Sequence, residues 1–228
     1  MYFHDHRHAG QELAARLLGW AAAGDLTNTV VLALPRGGVP VAAEVADALK
    51  VPLDVLVARK IGAPGRPETG IGAIAGDDPP VYDPRSLRML GLTESDLTGD
   101  VTRERAELHR REELYRGGRP PPEVEGRTVI VVDDGLATGV TARAALRHLR
   151  SGNPLRLILA VPVGSPHAVE ALRRDADDIV CLHQPGSFQA VGEWYEDFAQ
   201  VSDDEVIATL GRRPGTPSAQ GHGRRSAP

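Results

Sequence analysis

Six short runs rich in β-branched and aliphatic residues recur along the chain: Thr29–Leu34, Leu53–Arg59, Ile71–Ala75, Arg127–Val132, Leu155–Val161 and Asp178–Leu182. Most are apolar at consecutive positions rather than at alternate ones. A strand of that kind has no side to give to water, so helices must cover both of its faces. Segments of helical period lie among the runs, at Val39–Leu49, Gly139–Leu149 and Pro166–Asp175. A further helix is expected over His8–Ala23, with Leu13, Leu17 and Leu18 on one side. Strands and helices in alternation predict an α/β fold built on a largely parallel sheet.

Two regions break the rhythm. KIGAPGRPETG, from Lys60 to Gly70, is too rich in Gly and Pro for regular structure and reads as a mobile loop. TESDLTGDVTRERAELHRREELYR, from Thr93 to Arg116, reads as a charged, solvated helix in which Glu107 and Arg111 stand one turn apart. The tail from Gly211 to Pro228 lacks apolar anchors and is expected to be disordered.

Composition narrows the function classes. The chain has 228 residues, 41% hydrophobic and 25% charged, enough for one α/β domain with an appendage. A net charge of -5 argues against nonspecific nucleic-acid binding, and no DNA partner is expected. Cys181 has no second cysteine to pair with and sits in the apolar run DIVCLH, where a core thiol is expected. No apolar run approaches the roughly 20 residues that span a bilayer, and the first residues do not form a signal peptide. A cytoplasmic protein without a membrane partner is expected.

The stretch VIVVDDGLATGVTARAAL, Val129 to Leu146, concentrates the chemistry. An apolar strand runs into two carboxylates, then a Gly/Thr-rich turn, then a helix. In open α/β sheets ligands bind at that carboxyl edge of the strands. Ala137, Thr138, Gly139, Val140 and Thr141 offer backbone N–H groups and two hydroxyls at a helix N-terminus, which suits a phosphate. Asp133 and Asp134 would repel the same phosphate, so they should face vicinal sugar hydroxyls or a magnesium ion. A Gly-rich turn with an Asp cap is the plain structural alternative.

The run VIVVDDGLATGVTA resembles the phosphoribosyl-diphosphate (PRPP) motif of the type I phosphoribosyltransferases. Charge pair, spacer and Thr-Gly-x-Thr all agree. The resemblance implies that Asp133 and Asp134 hold the ribose hydroxyls and that Ala137 to Thr141 hold the 5′-phosphate. VVLALPRGGVPVAAEVADAL agrees with it: Pro35, Arg36, Gly37 and Gly38 look like the family's pyrophosphate loop. Arg59 and Lys60, with Arg66 beyond them, fall where the family has its flexible catalytic loop, and cations there would neutralise departing pyrophosphate. Val163-Gly164-Ser165 follows another strand, where the family often has a further active-site loop. PRGG early and DDGLATG later are also similar to a bacterial group of phosphoribosyltransferase-like proteins.

The resemblance further implies a three-layer α/β/α fold with a mostly parallel six-stranded sheet in order 3-2-1-4-5-6, the third strand antiparallel. A transferase domain over residues 1–210 is implied, with a small hood from the N-terminal segment, the 60–120 insertion and the 184–200 region. Magnesium would be held mainly through PRPP, with Asp133 or Asp134 as protein ligands. The partners are PRPP and a small acceptor, and a homodimer is common among relatives. Ala137 replaces the Asp typical of enzymes acting on 6-oxopurines, so the acceptor is less readily such a base. Gly135 departs from the usual apolar spacer residue, and no acceptor signature is recognisable.

Four of the nine aromatic residues fall in FQAVGEWYEDF, where Phe188 and Trp194 are candidates to stack on an acceptor. Packing of the hood itself competes with that role. His4, His6 and His8 would share one face of an extended strand and invite a metal reading, weakened by their terminal position. Three functions remain open at this point: a magnesium-dependent phosphoribosyltransferase, a non-catalytic PRPP or nucleotide sensor, and a generic phosphate-binding enzyme. The last lacks a nucleophile where LPRGG stands.

Overall fold

The computed structural model describes residues 2–21 and 28–211. In chain order the elements are α1 (His6–Ala21), β1 (Thr29–Ala33), α2 (Gly38–Leu49), β2 (Leu53–Val55), β3 (Ala58–Ala63), β4 (Arg66–Ala75), β5 (Val81–Tyr82) and α3 (Pro84–Leu90). A 3-10 turn at Glu94–Leu97 leads into α4 (Thr98–Arg116), β6 (Thr128–Val132), α5 (Val140–Ser151), β7 (Arg156–Val163), α6 (Pro166–Leu172) and β8 (Asp178–His183). A second 3-10 turn at Val191–Trp194 precedes α7 (Asp203–Gly211).

Five strands form a parallel sheet in the order β2-β1-β6-β7-β8. Successive residues of each strand point to opposite faces, and both faces are covered. Val31, Ala33, Ile130, Val132, Ile158 and Ala160 pack with α1 and α2. Val30, Leu32, Val129, Val131, Leu157 and Leu159 pack with α5 and α6. The unbroken apolar runs therefore have the cause inferred for them.

The sixth strand of the expected sheet is absent from it. β3, β4 and β5 form a separate three-stranded antiparallel sheet. The run Leu53–Arg59 divides between the two sheets: Leu56 N still donates to Ala33 O at 3.0 Å, after which the chain leaves β1 and pairs with β4. Side-chain alternation continues through the break. Leu53, Val55 and Val57 face one core while Leu56 and Ala58 face the other. Only the hydrogen-bond partner changes, and that leaves no mark on the hydrophobic pattern.

The expected loop over Lys60–Gly70 is instead most of the β3–β4 hairpin. Its glycines are absorbed at register shifts between Ile61, Gly62 and Ala63, and Gly65 takes the left-handed backbone the turn requires (φ +72°). α4 covers the arm on one side. Arg105 donates to Gly76 O and Asp78 O at 2.5 and 2.7 Å, and Glu107 accepts from Arg111 at 2.8 Å, the pair expected from spacing. The tail from residue 212, the helix end expected at Ala22–Ala23 and the side chain of Arg66 lie outside what is described.

Candidate functional site

β1 and β6 are neighbours in register, Ala33 beside Val132, so the turns that follow them leave the sheet side by side. Leu34 N donates to Val132 O at 2.9 Å, and the PRGG turn closes through Gly38 N to Leu34 O at 3.1 Å. The Pro35–Arg36 peptide is cis. Two glycines then bring this turn onto the acidic pair. A Cβ on Gly37 would overlap Asp134 Oδ2, and one on Gly38 would stand 2.7 Å from Val132 O and 3.0 Å from Asp133 Cα. Residues Pro35–Gly38 and Asp133–Asp134 therefore build one surface.

Beyond the acidic pair the chain turns through Gly135 and Leu136 into the N-terminus of α5. Gly139 (φ +74°) ends the turn, no acidic residue occupies the first turn of α5, and Ala137 and Thr138 are exposed. The first amides of a helix lack intrahelical partners, so this end favours an anion. Ser165, after β7, holds the turn in place: its Oγ donates to Ala137 O at 2.8 Å and its N donates to Leu136 O at 2.9 Å. The loop at Val163–Ser165 thus braces the turn that leads into α5.

Asp133 keeps part of its surface exposed, yet its carboxyl is desolvated. Burial first, and the charge of Asp134 second, hold it well above the ordinary carboxylate range. Asp134 N donates to Asp133 Oδ1 at 2.9 Å. Such a pair is completed by hydroxyl donors or by a hard cation. Two oxygen donors suit magnesium, which takes one or two protein carboxylates and fills its shell with phosphate oxygens and water. Among the described residues no group of three or more His, Cys, Asp or Glu side chains forms a metal cluster.

The pair is also gripped from the other side by residues that periodicity does not reveal. Tyr195 OH donates to Asp134 O at 2.6 Å, and His6 Nε2 lies 3.6 Å from Asp134 Oδ2. Tyr195, His6 and Phe198 pack ring against ring at 4.9 to 5.1 Å between centroids. Gly135, the departure noted in the motif, makes room for this cap: a Cβ there would meet Val191 Cγ1 at 2.6 Å. Phe3 N donates to Trp194 O and Glu196 N to Phe3 O, both at 2.8 Å, so the N-terminal segment and residues 191–198 form one piece. Phe188 packs into this cluster with Phe3 and Tyr195, and Trp194 stacks on Tyr2 at 5.8 Å.

The three N-terminal histidines do not share a strand face. Asp5 Oδ1 accepts from His8 N at 2.7 Å and caps a helix that begins at His6. His4, His6 and His8 then turn to Glu196, Asp134 and Glu12 respectively.

Arg59 stands on β3, where Glu104 of α4 accepts from its Nε and Nη2 at 3.0 and 2.6 Å. Arg59, Lys60 and residues 62–65 line a groove of about 460 Å³ with Asp100, Arg103 and Glu104. Both cations thus stand on the antiparallel arm, whereas the acidic pair and the PRGG turn stand at the edge of the parallel sheet. Cys181 is partly buried and packs against the α5–α6 core. Burial pushes its thiol up to about 12, and it donates to His183 O at 3.2 Å.

A three-layer α/β fold with a small antiparallel sheet, and with these two turns at one strand edge, is that of the type I phosphoribosyltransferases. The chain belongs to the phosphoribosyl transferase domain family, whose model matches residues 4–204. It is 44% identical over 210 residues to a Mycobacterium tuberculosis H37Rv protein provisionally named a phosphoribosyl transferase, covering 92% of this chain and 46% of that protein. The chain thus spans about half the length of the curated relatives it matches. The crystal structure of TT1426 from Thermus thermophilus superposes with a TM-score of 0.75 at 45% identity, covering 92% of this chain and 98% of that one. A shorter stretch is 40% identical over 79 residues to the bifunctional protein PyrR of Brevibacillus brevis, covering 33% of this chain and 44% of that protein.

Proposed function

We propose that the chain binds PRPP with magnesium and transfers its phosphoribosyl group to a nitrogen of a small acceptor, releasing pyrophosphate. One observation carries the reading: Gly37 and Gly38 back directly onto Asp134 and Asp133, beside the open N-terminus of α5. An anion turn, a hydroxyl-accepting carboxylate pair and a second anion cradle then stand in the order in which PRPP presents pyrophosphate, ribose and 5′-phosphate.

In this reading Asp133 and Asp134 accept from the ribose hydroxyls. The amides of residues 138–141 and the hydroxyls of Thr138 and Thr141 hold the 5′-phosphate. The Pro35–Gly38 turn and Arg36 receive the pyrophosphate oxygens. Magnesium, when bound, neutralises charge on the pyrophosphate and ribose oxygens, with Asp133 or Asp134 as its protein ligands. The C1′–O bond to pyrophosphate breaks as a C1′–N bond forms, and the acceptor nitrogen gives up its proton. The contribution of the protein is orientation and charge stabilisation, with no covalent intermediate. The acceptor is placed under the aromatic cap, with Phe188 and Trp194 as stacking candidates. We place the protein in the cytoplasm and propose a homodimer.

A second reading, a PRPP or nucleotide sensor without turnover, draws on Arg59. Its Nε and Nη2 both donate to Glu104 Oε2, which leaves the arm's first cation occupied. Calorimetry with PRPP and magnesium, followed by a pyrophosphate-release assay over a panel of nitrogenous bases, separates the readings. Wild type is expected to bind, and Asp133→Asn/Asp134→Asn to lose roughly a hundredfold or more, about 2.7 kcal/mol. Base-dependent release of pyrophosphate supports the transferase; binding without release on any base supports the sensor. No binding by the wild type would sink both.

A further inference from the structure

The PRGG turn carries a single charged side chain, Arg36, and a network outside the turn holds it. Arg36 Nη1 lies 3.5 Å from Asp203 Oδ1 at the start of α7. The same oxygen accepts a 2.6 Å hydrogen bond from Tyr115 OH near the end of α4, and Arg110 Nη2 lies 4.0 Å from Asp203 Oδ2.

Each member of the network is itself fixed. Ser202 N donates to Glu205 Oε2 at 2.7 Å and Glu205 N to Ser202 Oγ at 3.2 Å, a reciprocal cap that sets the first turn of α7. Val206 and Leu210 anchor that helix in the same apolar layer as α2. Tyr115 is 3% exposed and its hydroxyl, pushed up to about 12 by burial first and then by Asp203, keeps its proton. Asp203 is held below the ordinary carboxylate range, first by the Tyr115 hydrogen bond, and so stays charged.

We infer that Asp203, fixed by Tyr115, is a positioning residue that orients the Arg36 guanidinium for the pyrophosphate end of the site. Arginine offers five N–H donors in a planar fork. The Nη1 contact with Asp203 tethers one arm of that fork toward α7 and leaves the other donors for an anion. The inference rests on the reading of PRGG as the pyrophosphate turn. It goes beyond it in assigning α4 and α7, which supply no residue to that turn, a part in aiming its one cation.

The test is calorimetric titration with magnesium pyrophosphate, and separately with PRPP and magnesium, of wild type, Asp203→Asn, Tyr115→Phe, Arg36→Ala and the double variant Arg36→Ala/Asp203→Asn. Freeing one long side chain that must be re-ordered on binding is expected to weaken Asp203→Asn about three- to tenfold. Tyr115→Phe should weaken binding by about twofold, since the carboxylate remains. In the Arg36→Ala background Asp203→Asn should cost nothing further, because a positioning residue acts only through the group it positions. Thermal unfolding of each variant checks that it is folded. Unchanged or tighter binding by Asp203→Asn overturns the inference, as does a loss that persists without Arg36. Failure of the wild type to bind either ligand removes the pyrophosphate reading itself, and this inference with it.

Discussion

At the carboxyl edge of the parallel sheet, a side chain on Gly38 would run into backbone that cannot move; at the tip of the β3–β4 arm, one on Gly65 or Gly70 would face open space or a flexible side chain. A Cβ on Gly38 would meet the Val132 carbonyl and Asp133 Cα, whereas one on Gly65 would have nothing within 4 Å and one on Gly70 would first meet the Lys60 side chain. At Gly38 the PRGG turn is thus spaced by backbone against backbone, continuous with a core that is close-packed. The arm's strands share the core through Ile61, Ile71 and Ile74, while polar side chains hold its outer side: Arg59 to Glu104, Arg105 to the 76–78 turn, His148 to Asp78 at 3.0 Å. One region takes its spacing from backbone contact, the outer side of the other from polar side-chain contacts.

The sharpest way to break that comparison is at Gly38. Gly38→Val drives a branched side chain into the Val132 carbonyl, so the PRGG turn must lift off the acidic pair. Overpacking of this kind costs about 1–3 kcal/mol of stability. The larger expected effect is on the site, with PRPP affinity down roughly a hundredfold by calorimetry. Near-normal binding by a folded Gly38→Val protein would show that the glycine contact does not set the site's spacing.

The arm gives a smaller effect of a different kind. Arg59→Ala removes a partly exposed ion pair, and a stability change of about 1 kcal/mol or less is expected from chemical denaturation. If the arm brings a cation to the leaving group, turnover at saturating PRPP falls about tenfold while PRPP affinity holds within about twofold, a loss confined to the transition state. Glu104→Gln, which releases Arg59 without removing it, should leave turnover equal or higher. Full turnover by Arg59→Ala would reduce Arg59 to a tether for α4.

The same division marks what could be read in advance. The parallel strands are legible because residues buried on both faces must be apolar throughout, and the DDGLATG spacing is legible because each residue type is tied to a local task. The arm is not: Gly62, Gly65 and Pro64 look like breakers, and whether a breaker ends a strand or is absorbed as a bulge depends on the partner, Gly70 to Ala75. The strand count fails for a related reason, since Leu53 to Ala58 alternate unbroken across a change of sheet. The cap escapes because His6 and Tyr195 are far apart in sequence, and neither their ring contact nor their shared hold on Asp134 leaves a local pattern. Asp5 was the available signal for the N-terminus: an Asp before His6 begins a helix and parts the histidines.

The smallest effect sharpens the contrast through its sign. Folding raises the Asp133 carboxyl above its unfolded value, chiefly by burial, so the folded state binds that proton more readily. The stability this contributes is fully present below the unfolded value, about 4, and is lost as pH rises through the folded one. Above the ordinary carboxylate range Asp133 therefore costs the ligand-free protein stability. Glu107 on α4 runs the other way: Arg110, then Arg111, lower it to about 2, and its contribution is present above the unfolded value and lost as pH falls toward 2. Asp133→Asn, which cannot be charged, should raise the ligand-free Tm by a few degrees at pH 7 to 8 and leave it nearly unchanged near pH 4, while binding of PRPP weakens. Thermal scans of both proteins across that range decide it. A Tm that falls at neutral pH would mean that the Asp133 charge is satisfied within the folded chain and that the edge of the sheet is not strained for a ligand.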